Sequence, residues 1–120
     1  MNCPYCGKEA EWCENSRIYG KNYGASYMCY FCEPCNAYVG CHQNTRKPLG
    51  TMANKELREM RIKAHGNIDW LYKTGRIKRH NLYKRLTEHF GRPIHIGESD
   101  LETAKAIAQM DPKTLLSPLI

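Results

Sequence analysis

Two cysteine pairs constrain this chain more than any other feature: Cys3-Pro4-Tyr5-Cys6-Gly7 and Cys32-Glu33-Pro34-Cys35-Asn36. A Cys-x-x-Cys pair sets two thiolates close enough to share one metal ion, and two such pairs complete the tetrahedral sulfur cage of a structural zinc site. Gly7 and Asn36 follow the second cysteine of each pair. These residue types most readily take a left-handed backbone, which turns amides back toward the sulfurs. The 25 residues between the pairs suit a β-hairpin arm, as in a zinc ribbon. Four thiolates leave no open coordination position, so the cofactor expected is one structural Zn2+.

Cys29, Cys32 and Cys35 compete for the second knuckle, being spaced C-x-x-C-x-x-C. Pairing Cys29 with Cys32 would put Glu33 where the left-handed turn is needed. Pairing Cys32 with Cys35 puts Asn36 there, which is tolerated. The expected ligands are therefore Cys3, Cys6, Cys32 and Cys35. Cys13, Cys29 and Cys41 remain. Cys13 and Cys29 lie about equally far from the turn and read as cross-strand neighbours. They are expected to act as small apolar residues, with a disulfide or a second metal site involving Cys41 or His42 as the alternatives.

The chain has 120 residues, enough for one domain or for a small metal module joined to a helical one. No apolar run approaches the length of a membrane span and no secretory segment follows Met1, so a soluble, cytoplasmic protein with no membrane partner is expected. Seven cysteines, an odd number, in two metal-spaced pairs fit a reduced compartment better than a disulfide framework. The net charge of +6 is unevenly spread. Residues 1–42 carry −1 and residues 96–120 carry −2, whereas residues 43–95 hold thirteen Lys/Arg against four Asp/Glu, a net of +9. Such a block is the footprint of a nucleic-acid binder or of a partner for an acidic protein surface, although a solvated helical face has the same composition.

Residue patterning gives an α+β organisation: a zinc ribbon over 1–42, a connector over 43–53, a basic helical domain over 54–111 and a tail over 112–120. In the ribbon, Glu11 to Tyr19 and Ala25 to Phe31 read as strands flanking the turn Gly20-Lys21-Asn22-Tyr23-Gly24. Ala37 to Cys41 makes a third strand. The connector lacks periodicity and contains Pro48 and Gly50. Three to four short helices follow. Asn54 would cap a helix over 55–65 that Gly66 stops, and Asn67 a short turn ending at Gly75. A third helix over 76–90 would bury Leu82, Tyr83, Leu86 and Phe90, with Gly91 just past its end. The capping box Ser99-x-x-Glu102 would open a last helix to about Met110, with Leu101, Ala104, Ile107 and Ala108 inward. Beyond Pro112 the tail is expected to be loosely held.

The candidate nucleic-acid contacts are Arg46 and Lys47 in the connector, Arg58, Arg61 and Lys63 on the first helix, and Arg76, Lys78, Arg79, Lys84 and Arg85 on the third. The ribbon residues Tyr5, Tyr19, Tyr23 and Tyr27 could stack on bases. His65 and Asp69 are four apart, the spacing of an acid/base pair, but a helix break at Gly66-Asn67 would separate them. They then read as favourable charges at helix ends. No catalytic constellation appears, so no residue is assigned a catalytic role.

The ordered motifs Cys3-Pro4-Tyr5-Cys6-Gly7, Ile18-Tyr19-Gly20, Cys32-Glu33-Pro34-Cys35-Asn36-Ala37-Tyr38-Val39-Gly40-Cys41-His42 and Pro48-Leu49-Gly50-Thr51-Met52-Ala53-Asn54 continue into Glu56-Leu57-Arg58, Arg61 and Ala64-His65. Together they resemble a family of small phage and bacterial zinc-finger-containing proteins. Arg79-x-x-x-Tyr83-x-x-Leu86 and His95-Ile96-Gly97 resemble its C-terminal half. The resemblance implies a zinc-bound N-terminal ribbon, a helical C-terminal part and a phage or prophage origin, hence the host cytoplasm. It also implies Cys32 and Cys35 as ligands. Three functions compete: a zinc-stabilised DNA- or RNA-binding protein using the basic helices; a phage protein that binds and inhibits a host protein such as a polymerase or defence factor; and a nucleic-acid-processing enzyme using His42, His65 and Asp69.

Overall fold

The computed structural model describes residues 1–116, and in it the aromatic-rich arms pair into an antiparallel sheet. Strands β1 (Glu11–Glu14), β2 (Met28–Cys32) and β3 (Ala37–Gly40) lie in that order. Trp12 stands opposite Tyr30, Glu14 opposite Met28, Tyr30 opposite Val39 and Cys32 opposite Ala37. Because facing residues share a side of the sheet, Trp12, Glu14, Met28, Tyr30 and Cys32 form one face. Part of that face builds a small core of Cys3, Ala10, Cys32, Ala37, Val39 and Met52.

The first strand is shorter than the run Glu11 to Tyr19 suggested. Asn15 ends it: its carbonyl accepts the N–H groups of Ile18 and Tyr19, starting a one-turn helix α1 (Ser16–Tyr19). The Asn15 side chain also holds the loop, accepting from Tyr23 N–H at 3.0 Å and donating to the Tyr23 carbonyl at 2.9 Å. A local side-chain network here outcompetes the ladder. The aperiodic stretch after β3 runs back along that strand. Leu49 N–H donates to the Gly40 carbonyl, Tyr38 and Ala53 exchange backbone hydrogen bonds, and Met52 and Ala53 are buried.

The chain separates into two units, Met1–Glu56 and Leu57–Ile120, each with its own core. Helices α2 (Lys55–Ile68), α3 (Trp70–Lys73), α4 (Arg79–Phe90) and α5 (Leu101–Gln109) follow the sheet. The core of the second unit contains Ala64, Ile68, Leu71, Leu82, Leu86, Ile94, Ile96, Ile107 and Leu115. Leu82 and Leu86 meet on one face of α4 because they are four apart. Gly91 closes that helix at φ 70°, its N–H donating to the Thr87 carbonyl.

Four expectations are corrected here. Gly66 does not stop α2, which continues to Ile68 with Asp69 N–H donating to the His65 carbonyl at 2.8 Å. Asn67 does not cap the next turn; its amide donates to the carbonyls of Ile107 and Met110, at 2.8 and 2.9 Å. That tertiary anchor overrides the breaker signal. The cap of α5 is Asp100, whose carboxylate accepts from Thr103 N–H, while Ser99 Oγ donates to the Ile96 carbonyl. Beyond Pro112 a 3₁₀ turn (Pro112–Leu115) buries Leu115 to 1% exposure, so the start of the tail is held. Residues 117–120 of that tail lie outside the described residues.

Candidate metal centre and basic surface

The sulfurs of Cys3, Cys6, Cys32 and Cys35 all lie within 4.8 Å of one another. Two tight turns bring them there. Gly7 adopts φ 76° and Asn36 φ 49°, and their N–H groups donate to the carbonyls of Cys3 and Glu33. Cys29 stands elsewhere, on the opposite face of β2 from Cys32.

The donor set fits zinc. Sulfurs about 2.3 Å from a tetrahedral ion stand about 3.8 Å apart, and Cys6 and Cys32 are 3.7 Å apart. Burial pushes the Cys3 thiol up, but the N–H groups of Tyr5 and Cys6, with hydrogen bonds from the Cys32 and Cys6 thiols, outweigh it and lower Cys3 to about 7. Burial and the neighbouring thiols push Cys35 up to about 12. The N–H of Cys35 pulls Cys32 down, yet burial and its thiol neighbours leave it raised. Four clustered thiols thus give up their protons together only when a cation supplies the countercharge. A fully protein-ligated, all-sulfur cage is a structural site, and the chain is built to hold one Zn2+.

Cys13 and Cys29 face each other across β1 and β2 with sulfurs 3.9 Å apart. Burial raises both thiols, Cys29 to about 12, so they remain protonated small side chains. Cys41 is buried and its thiol is raised by the same cause. His42 is exposed, its backbone N–H donating to the Lys47 carbonyl. Among the described residues, the Cys3–Cys6–Cys32–Cys35 group is the one set of three or more ligating side chains close enough to share an ion.

The basic residues do not form a single cluster. Arg76, Lys84 and Arg85 line one groove of about 450 Å³ with Asn81 and Glu88. Lys78 precedes α4 and is exposed; Arg79 lies 5.1 Å from the ring of Tyr83 and 5.9 Å from that of Tyr72. On α2, Lys63 is exposed and Arg58 half-buried, whereas Arg61 is tied through Nε and Nη2 to the Ser99 carbonyl, at 3.2 and 2.7 Å. In the first unit Lys47 is exposed, and Arg46 lies 4.0 Å from the ring centroid of Trp12.

Continuity of α2 restores a pair that the expected break would have separated. His65 Nδ1 and Asp69 Oδ2 are 2.7 Å apart. Asp69 is buried and also accepts from Tyr83 at 3.3 Å and Tyr72 at 3.5 Å. The tyrosine partners come from α3 and α4, so their convergence on one carboxylate had no signal in local spacing. Tyr83 titrates well above the usual phenol range, through burial first and the Asp69 charge second.

A family model described as a zinc-finger-containing domain matches residues 1–113. No curated relative and no solved structure matches the chain. Among the described residues no helix is long and apolar enough to cross a membrane.

Proposed function

The chain belongs to a family of zinc-finger-containing domains, and from that premise we propose that it is a zinc-stabilised nucleic-acid-binding protein that works through its basic helices. The observation that carries the reading is the groove along α4, where Lys84 and Arg85 of that helix and Arg76 from the segment before it line one surface with the amide of Asn81 and a single carboxylate, Glu88. Three cations around one concave surface suit the phosphates of DNA or RNA, with an amide available for sugar or base. The +9 net charge of residues 43–95 supports the same reading. Zinc serves it indirectly, by keeping the ribbon folded. A phage or prophage origin, and with it action in a host cytoplasm, rests on the family resemblance. Gel-shift titrations at two salt concentrations test the binding. Lys84→Glu/Arg85→Glu should weaken it on any sequence and flatten the slope of log K against log salt by about 1 for each phosphate no longer neutralised. Unchanged binding by that variant overturns the assignment of the groove.

One observation favours a second reading, in which the bound nucleic acid is also hydrolysed. A histidine whose Nδ1 is held by a buried carboxylate has its other ring nitrogen available to move a proton, the arrangement of a general base. Full activity in His65→Ala, or no release of fragments by the wild type, removes it.

A further inference from the structure

The ribbon unit carries a second groove, of about 660 Å³, which the basic helices do not explain. We propose that it is a base-binding pocket for unpaired nucleotides of a single strand. The proposal rests on the nucleic-acid reading and extends it to a defined chemical group.

The sheet sets one wall. Trp12 and Glu14 stand side by side on the face shared with Met28 and Tyr30. The loop after β3 sets the other wall, and it is firmly held. Tyr30 Oη donates to the Arg46 carbonyl at 2.8 Å, Thr45 N–H and Oγ1 donate to the His42 carbonyl, and Asn44 takes a left-handed φ of 60°. The Arg46 guanidinium lies 4.0 Å from the Trp12 ring centroid, a cation on an aromatic face that offers a base a stacking platform.

Of the four ribbon tyrosines expected to stack on bases, Tyr27 is the one that lines this groove. It is half exposed, and its ring has no partner among the described residues. The others are engaged elsewhere: Tyr5 accepts from Asn54 N–H, and Tyr19 and Tyr23 stack edge-on at 5.5 Å. The polar lining reads edges rather than phosphates. Gln43 and Asn44 present side-chain amides with no hydrogen bond among the described residues, and Glu14, whose Oε2 accepts from Asn22 Nδ2 at 3.1 Å, adds its second carboxylate oxygen as an acceptor. Donors and acceptors of both kinds beside stacking surfaces match the Watson–Crick edge of a base, which a duplex keeps covered. With one carboxylate opposing one guanidinium, the groove lacks the cationic excess that tracking a duplex backbone needs. Its volume falls in the range of small-ligand pockets, roughly 300–1,000 Å³.

The test compares single-stranded DNA, single-stranded RNA and duplex oligonucleotides of one length, with zinc content as the folding control. Tyr27→Ala/Asn44→Gly alters two exposed positions and keeps the left-handed turn, since glycine adopts it freely. It should weaken single-strand binding about five- to hundredfold, the loss expected for one stacked base, and leave duplex binding within about twofold. The two single-strand arms identify which strand is preferred. Adding single strand should also quench tryptophan fluorescence in the wild type and less so in Trp12→Phe. If both affinities stay unchanged in the groove variant while Lys84→Glu/Arg85→Glu abolishes binding, the pocket is wrong and the nucleic-acid reading stands. If the wild type binds neither form at low salt, both readings fall.

Discussion

Asn36 decides which cysteines hold the metal, because a side chain that tolerates φ 49° must follow the second thiol of the knuckle. The consequence is testable one residue at a time. Cys35→Ser should lose stoichiometric zinc by metal analysis. Cys29→Ala should keep one ion per chain while costing about 1 kcal/mol for the buried sulfur, since Cys29 is 2% exposed. Zinc loss in Cys29→Ala would reverse the assignment. Asp100 makes a second residue-scale case. Hydrogen bonds from the Thr103 hydroxyl and N–H hold its carboxyl below the usual range. Its contribution is therefore complete above the ordinary carboxylate pKa and is lost as pH falls through the folded value. Asp100→Ala should destabilise the helical unit by about 1 kcal/mol at neutral pH, and the difference from wild type should shrink on acidification. The four clustered cysteines were legible because turn chemistry is local. The cap was misplaced by one residue, since Ser99 had a partner of its own in Ile96 that spacing could not reveal.

At the scale of elements, α2 is where local preference and tertiary structure disagree. Glycine followed by asparagine ordinarily ends a helix, yet two carbonyls at the end of α5 hold Asn67 in place and the helix carries on. Gly66 consequently sits inside a helix, without positive φ, and a methyl group added there would meet nothing within 4 Å. Gly66→Ala should stabilise the protein by about 0.5–1 kcal/mol in denaturant titration. Destabilisation would mean that the helix really does break. The same continuity joins His65 to Asp69, which shows how one misplaced boundary hides a site. The end of helix α4, by contrast, was readable from its Leu82–Leu86 spacing and closing Gly91. Its start lies at Arg79 and not at residue 76, because the N–H groups of Arg76 and Ile77 are tied to the Leu71 carbonyl and Lys78 is extended. The β1 strand was overextended because Asn15 looks like any polar strand residue until its carbonyl is found starting α1.

For the whole molecule, the two units depend on different forces. The main buried cluster of Met1–Glu56 contains six small or medium side chains, two of them zinc-ligand cysteines. The other buried apolar groups of the unit are Cys29, Phe31, Cys41 and Ala53, too little apolar area to hold a sheet without metal. Among the described residues, the main buried cluster of the second unit contains nine aliphatic side chains, including Leu71, Leu82, Leu86 and Ile107 at 0% exposure, the density of a module that folds by burial. The charge block over residues 43–95 was visible from composition. The ribbon groove was not, because it is assembled from Trp12, Tyr27 and Arg46, which are distant in sequence and individually ordinary. A structural zinc site contributes about 10–16 kcal/mol of folding free energy, more than the roughly 5–15 kcal/mol by which a whole domain is stable. A strong chelator should therefore unfold the ribbon and leave the helical unit standing. Far-UV circular dichroism should keep most of its helical signal while proteolysis cuts the chain within residues 1–56. Chelation should also abolish the single-strand preference that depends on the ribbon groove, and retain salt-sensitive binding by the α4 cations. Loss of the helical signal together with zinc would show instead that the two units fold as one.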